Sequence, residues 1–391
     1  MIGRRLRQLR LARGLSLEAL AVAMGGAVTK QSLSKYEQGK ATPSPVVLNR
    51  LAEALGVKTA HLWSEPSIRV EFVAYRKGSA LPKGEQARVE GLVAEELETR
   101  VRLQQLLGQV EEISLPMQKF FIHDLEDTEV AAIQLRTQWQ LGLDPIANVT
   151  DVLERHFVHV IEIDAGDEFD GISAVACDEG GQKRAAAVVT RRGLPGERQR
   201  LSLAHELGHL VLEIPETVNQ EAAAFRFGAA FLAPAILVRQ EVGEKRAFIQ
   251  PQELMLLKRQ YGMSLQALVR RLYDLEIITE SYYRQWCIDI NRLQWRKHEP
   301  LEMASEQPQW LRRSVLRALA EGLVSQEDAA AMTGETMQGD LALPIIERRS
   351  FMKLPLEERR RILAEQAEKL TTHYAQDSEW REMEAGDLVE Y

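Results

Sequence analysis

Cysteine is scarce: the 391 residues hold only Cys177 and Cys287, neither in C-x-x-C spacing. That excludes a disulfide framework and a thiolate metal cluster, and leaves nitrogen and oxygen as the donors for any bound metal. Long apolar runs are missing too. None approaches the roughly 18 residues that a membrane span requires, and the basic first ten residues are not followed by the apolar stretch of a signal peptide. A cytoplasmic protein without a membrane partner is the expectation. Aromatic residues make up 6% of the chain, and period-two alternation is rare. What is present is ordinary globular material, 45% apolar and 27% charged, long enough for two or three domains. Helical periodicity dominates, so the expected class is mainly α with a small β-sheet (α+β).

The most informative stretch is residues 203–212, an apolar helical run that contains His205, Glu206 and His209 as H-E-x-x-H. Positions i and i+4 share a helix face, so His205 and His209 can offer two imidazole nitrogens to one tetrahedral zinc. Glu206, next to the first, is placed to take a proton from a water activated there. A pair of histidines on an apolar helix is otherwise a packing feature. A catalytic zinc needs a third protein ligand, and Glu221, which opens a second apolar helical run ending at Pro234, is the candidate. Glu213 and Glu216 compete with it.

Residues 198–209 followed by Glu221-Ala222 and a helix ending at Pro234 resemble the ImmA/IrrE metallopeptidase family. Its pattern is R-x-R-F-T-x-A-H-E-x-G-H and then E-A-x-x-F-A-x-x-L-L-M-P. The chain departs from it at Leu201-Ser202 (Phe-Thr in the pattern), Gly228 (Ala) and Ala233 (Met), while every metal-binding position is kept. The resemblance implies a zinc-dependent, zincin-like peptidase core.

Net charge is −8, but residues 1–65 hold ten Lys or Arg against four Glu. Such an asymmetry suits a nucleic-acid face. Caps at Ser16, Thr29 and Ser44 and breaks at Gly14, Gly25-Gly26, Gly39 and Gly56 divide the segment into five short helices. The segment resembles the XRE/Cro helix-turn-helix family, whose second motif helix enters the major groove. That implies DNA contacts from Thr29, Lys30, Gln31, Ser32, Lys35 and Lys40, an operator as partner, and binding as a homodimer. Leu33 and Tyr36 are read as packing inward.

Residues 66–120 read as a strand (68–75) and a long coupling helix (85–112) with apolar positions at Val89, Leu92, Val93, Leu97, Val101 and Leu106. That helix can link the two halves, form a dimer seam, or pack on its own domain. The peptidase region is placed at 121–300, with helices at 126–141 and 146–157, strand-like runs at 158–163, 171–177 and 185–190, and two helices around Gly262. His156 and His159 are read as packing or surface residues, and Tyr261, Tyr282 and Tyr283 as weak oxyanion donors. Two short helices extend the module over 301–340.

Residues 341–391 change composition: a charged helix leads into residues 377–391, which hold six acids and one Arg. Trp380, Leu388, Val389 and Tyr391 are spaced apolar anchors in that acidic segment. The tail resembles the C-terminal segments of type II antitoxins, which implies a basic, groove-bearing partner such as a PIN-type nuclease toxin. The leading expectation is a DNA-binding regulator with a zinc peptidase domain that acts as an antitoxin. The alternatives are a stress-activated peptidase that cleaves a separate repressor and a non-catalytic module that retains the zinc fold.

Overall fold

The N-terminal helices form where a side chain can replace the missing first-turn acceptor and glycine can absorb the exit. They are α1 (Ile2–Ala12), α2 (Leu17–Ala23), α3 (Lys30–Glu37), α4 (Pro45–Leu55) and α5 (Thr59–Trp63). Ser16 accepts from Ala19 N at 3.0 Å, Thr29 from Ser32 N at 3.3 Å and Ser44 from Val47 N at 3.4 Å. Gly56 ends α4 at φ 64°, a conformation that disfavours side chains with a Cβ. Leu6, Leu9, Leu20, Leu33, Leu51 and Leu62 are fully buried together as the core of this head, with Tyr36 packed against them. The computed structural model describes residues 2–74, 82–109, 119–166, 169, 171–296, 298–335, 354–364 and 367.

The next stretch comprises β1 (Arg69–Ala74), α6 (Lys83–Leu106), β2 (Phe120–Phe121), α7 (Asp127–Gln138) and α8 (Val149–Arg155). It continues through β3 (Val158–Ile163), β4 (Ile172–Cys177), β5 (Lys183–Arg191), α9 (Gly196–Val211), β6 (Leu212–Glu213) and α10 (Gln220–Leu232). The main sheet runs β1-β4-β5-β3, with β3 parallel to β5 and the other two pairings antiparallel. A second, two-stranded pairing joins β2 and β6 in parallel. Because side chains alternate across a strand, the sheet has two buried faces. Ile161, Ala174, Ala187 and Val189 meet one helix layer, and Val158, Val160, Ala186 and Val188 meet the other.

Helix α6 covers the first face. Val89, Val93, Leu97 and Val101 repeat every fourth residue and pack there, essentially fully buried. Of the three roles open to this helix, packing on its own domain and linking are both realised. The stripe that could have formed a dimer seam is occupied by the sheet. Another face of α6 receives α1. A Cβ at Gly91 would lie 2.6 Å from Ala12 N, so only glycine permits this approach. Arg5 of α1 and Arg13, just past its end, pair with Glu98 and Glu95 of α6, and Arg5 also donates to Ser64 O at 3.1 Å.

Helix α9 lies on the second face, and α10 packs on α9, backbone to backbone through two glycines. A Cβ on Gly208 would be 3.2 Å from Ala224 Cα, and one on Gly228 would be 3.0 Å from His205 N. Beyond them come α11 (Ala235–Val242), α12 (Pro251–Tyr261), α13 (Leu265–Asp274), α14 (Glu280–Arg292), α15 (Trp310–Ala320) and α16 (Gln326–Thr333). Two of these, α11 and α14, are not among the helices expected from the sequence. Helix α11 starts directly after Pro234, a residue that ends one helix and opens the next, and α14 buries little besides Ile290, so its apolar stripe is weak. The fold is mainly helical with a small mixed sheet, as expected. Among the described residues, no single helix is long and apolar enough to cross a membrane.

Beyond residue 335 the described residues fall in a separate unit, in which residues 356–364 are helical and Arg361 pairs with Glu358.

Candidate metal centre

Helix α9 is anchored at its N-terminal half by charges taken out of water. Glu197 receives Lys258 Nζ at 2.6 Å, and Lys258 also reaches Glu299 at 2.7 Å, all three side chains being buried. Arg200 reaches Glu306 at 2.5 Å and donates to Ile146 O at 2.6 Å, while Gln199 bonds Glu162 and Glu306 O. Buried ions of this kind hold position well, because each is costly without its partner. Helix α10 is fixed at its far end in a similar way. Arg136 donates to Phe231 O and Arg271 to Ala233 O, satisfying carbonyls that a helix terminus leaves unpaired. Burial pushes the Arg136 pKa down to about 10, still charged at neutral pH.

Between these anchors the predicted ligands meet. His205 Nε2 and His209 Nε2 are 3.2 Å apart; Glu221 carboxylate oxygens lie 3.4 Å from the first and 3.6 Å from the second. For a tetrahedral zinc with bonds of about 2.0–2.1 Å, ligand atoms sit about 3.3–3.4 Å apart. The three separations bracket that value, and the donor set is two neutral imidazoles and a carboxylate. The residues fit zinc. Glu213 and Glu216 are not in this cluster. Glu221 is placed by the first turn of α10, which Asn219 caps by accepting from Ala222 N at 2.9 Å.

Glu206 is buried, with Oε1 at 4.0 Å from His205 Nε2. A Cβ on Gly171 would lie 2.8 Å from that oxygen, so the residue before β4 has to be small for Glu206 to fit. His205 Nδ1 is buried without a hydrogen-bond partner, and its ring instead packs against Phe225 at 4.0 Å between centroids. Beside these groups opens a cleft of about 740 Å³, in the range of small-molecule and peptide pockets. Arg198, Ser202 and Phe225 line it with His205 and Glu206. None of those three was given a site role from sequence, although Arg198 and Ser202 belong to the quoted motif and stand seven and three residues before His205 on one helical stripe.

The other predicted residues lie elsewhere. Thr29 caps α3; Lys30, Gln31, Lys35 and Lys40 are exposed, Ser32 is half-buried, and Lys30 pairs with Glu18 at 3.2 Å. Five of the ten basic residues in the head, Arg5, Arg10, Arg13, Lys30 and Lys58, are engaged in ion pairs, so the local charge excess overstates its free basic surface. His156 stacks on Trp139, and His159 is fully buried against Trp310, where loss of hydration pushes its pKa well below the usual value. Tyr261 donates to Glu241 and Tyr282 bonds Ile249; of the three tyrosines only Tyr283 lines the cleft. Trp380, Leu388, Val389 and Tyr391 lie outside the described residues.

Comparison with known proteins gives two family matches. Residues 2–62 match a helix-turn-helix domain, and residues 179–273 match a peptidase family described as an IrrE N-terminal-like domain. The second range contains His205, Glu206, His209 and Glu221. The chain thus couples a helix-turn-helix head to an IrrE-like domain. Among curated proteins, the SPbeta prophage-derived uncharacterized HTH-type transcriptional regulator YonR of Bacillus subtilis is 40% identical over 62 residues. That match covers 16% of this chain and 56% of the relative.

Proposed function

We propose that the chain is a DNA-binding transcription regulator carrying a zinc-dependent peptidase. The convergence of His205, His209 and Glu221 beside Glu206, at the wall of a cleft lined by His205 and Glu206, carries this reading. Zinc held there would polarise the scissile carbonyl and acidify the attacking water. Glu206 accepts that water's proton on a carboxylate oxygen and returns it to the departing amine nitrogen as the C–N bond breaks. The packing of α9 on α10 fixes both histidine rings, and burial excludes bulk water from the carboxylate. The head supplies the DNA function: the exposed Lys30, Gln31 and Lys35 of α3 suit a major-groove contact made by a homodimer on an operator.

The test is metal analysis combined with cleavage. Purified chain should carry one zinc, lose it in His209→Ala, keep it in Glu206→Gln, and cleave peptides only in the wild type. Stoichiometric zinc with no cleavage of any peptide or protein offered would favour the non-catalytic module.

The composition of residues 377–391 supports a second element, neutralisation of a basic nuclease toxin by the acidic tail. Co-purification with the product of the neighbouring gene, using the full chain and a chain truncated after Gly339, tests it. A small nuclease held only by the full chain supports an antitoxin. Capture of a separate repressor instead supports a peptidase that acts on that repressor.

A further inference from the structure

The charge of the cleft is opposite to that of the chain. Five arginines line it (Arg191, Arg198, Arg226, Arg270 and Arg296), whereas the protein as a whole carries −8. The lining carboxylates are Glu206, Asp274 and Glu299. Two of these three are already committed: Asp274 accepts from Arg270 at 2.8 Å, and Glu299 is buried against Lys258. Arg226 is held by Glu126 at 3.0 Å.

Arg198 differs from Arg226 and Arg270. It is half-buried on the wall of the cleft, and its guanidinium has no ion pair or side-chain hydrogen bond among the described residues. Its neighbour in the motif, Arg200, is fully engaged by Glu306 and backbone carbonyls, so the two arginines of R-x-R have different uses. An arginine fork left open on a partly desolvated wall matches a carboxylate in geometry and charge.

Position along the helix sets where that carboxylate falls. Arg198 precedes His205 by seven residues, two turns and about 10 Å along the same face. For a substrate lying along α9, an extended peptide advancing about 3.3 Å per residue would place Arg198 about three residues from the scissile bond.

We propose that the substrate is an acidic protein segment and that Arg198 is its specificity-determining residue, engaging an Asp or Glu side chain about three positions from the bond cut. The inference rests on the peptidase reading of the site. Its central test therefore reads binding and does not depend on turnover.

The zinc-loaded, full-length Glu206→Gln protein would be titrated against two fluorescein-labelled dodecapeptides with the same apolar centre. One carries Glu at the flanking positions and the other Lys. The Glu peptide should bind at least ten-fold tighter, with affinity that falls as salt is raised. Adding Arg198→Glu should remove or invert that preference, whereas Arg198→Lys should keep part of it; circular dichroism and zinc content establish that each variant is folded. Equal binding of the two peptides, absence of binding by either, or a preference that survives Arg198→Glu would overturn the proposal. In parallel, the wild type would digest a position-randomised peptide library. Cuts enriched in acids about three residues from the bond support the assignment, and cuts without that enrichment overturn it. A library left intact counts against the peptidase reading and leaves the binding result to decide the substrate class.

Discussion

The head and the metal-bearing core are both assemblies of short helices, but they keep their charges in different places. The head has a leucine interior, and two of its buried or half-buried arginines, Arg5 and Arg13, point outward into α6. Its own internal bridge, Arg10–Glu37, joins residues 27 apart. The core buries ions at the root of its functional helix, with Lys258–Glu197, Lys258–Glu299 and Arg200–Glu306 joining residues 61, 41 and 106 apart. Local apolar pattern therefore builds the head, while long-range charge pairing positions the metal site. Substitutions should separate the two.

The largest effect is expected at the metal ligands. His205→Ala or Glu221→Ala should abolish zinc binding and peptide cleavage while DNA binding by the head persists, measured by metal analysis and operator gel shift on the same preparations. Full zinc occupancy in Glu221→Ala would reassign the third ligand. Glu206→Gln should keep zinc and lose roughly 10²–10⁴-fold in turnover, the usual worth of a general base.

Next comes the buried ion cluster. Lys258→Met strands two carboxylates in the interior and should cost about 3–5 kcal/mol in urea unfolding. Adding Glu197→Gln and Glu299→Gln removes the charges but keeps oxygens for Met303 N and Leu265 N, so the triple variant should recover most of that stability. A triple variant as unstable as the single would show that the cluster matters through shape and not charge.

This contrast also explains what could be read in the chain. Helices of the head carry their own start and stop signals within a few residues, at Ser16, Thr29, Ser44 and Gly56, so they were legible. So was the H-E-x-x-H geometry, because i and i+4 are fixed by the helix itself. The place of β1 at the edge of a sheet whose next strand begins a hundred residues later was not, since register is settled by tertiary pairing. The same holds for Arg198. Its helical phase relative to His205 was available, but which of the two arginines of R-x-R is engaged was not, because Arg200 is held by Glu306, a residue 106 positions away.

On the other side of the comparison, Lys30→Ala with Gln31→Ala should weaken operator binding by about 1–3 kcal/mol for each base-reading side chain removed. Zinc content and cleavage should stay at the wild-type level. If cleavage changes with these exposed residues, the two regions are not independent, and coupling runs through the junction between α1 and α6.

The junction itself should give the smallest signal, and a pH-dependent one. Burial alone would raise the Glu98 pKa, but the paired Arg5, the Ser67 N–H at 3.2 Å and nearby His61 outweigh it and hold the carboxyl below the ordinary value. A lowered folded pKa means that the unfolded chain binds the proton more readily. The stabilisation is then fully present above the unfolded value of about 4.3 and is lost as pH falls through the folded pKa. Wild type should thus exceed Glu98→Gln by about 1 kcal/mol or less at neutral pH, with the advantage shrinking as pH falls below about 4.3 and gone once the folded carboxyl is protonated. An advantage unchanged down to pH 3 would mean that Glu98 acts through the shape and hydrogen bonds of its side chain, and not through its charge.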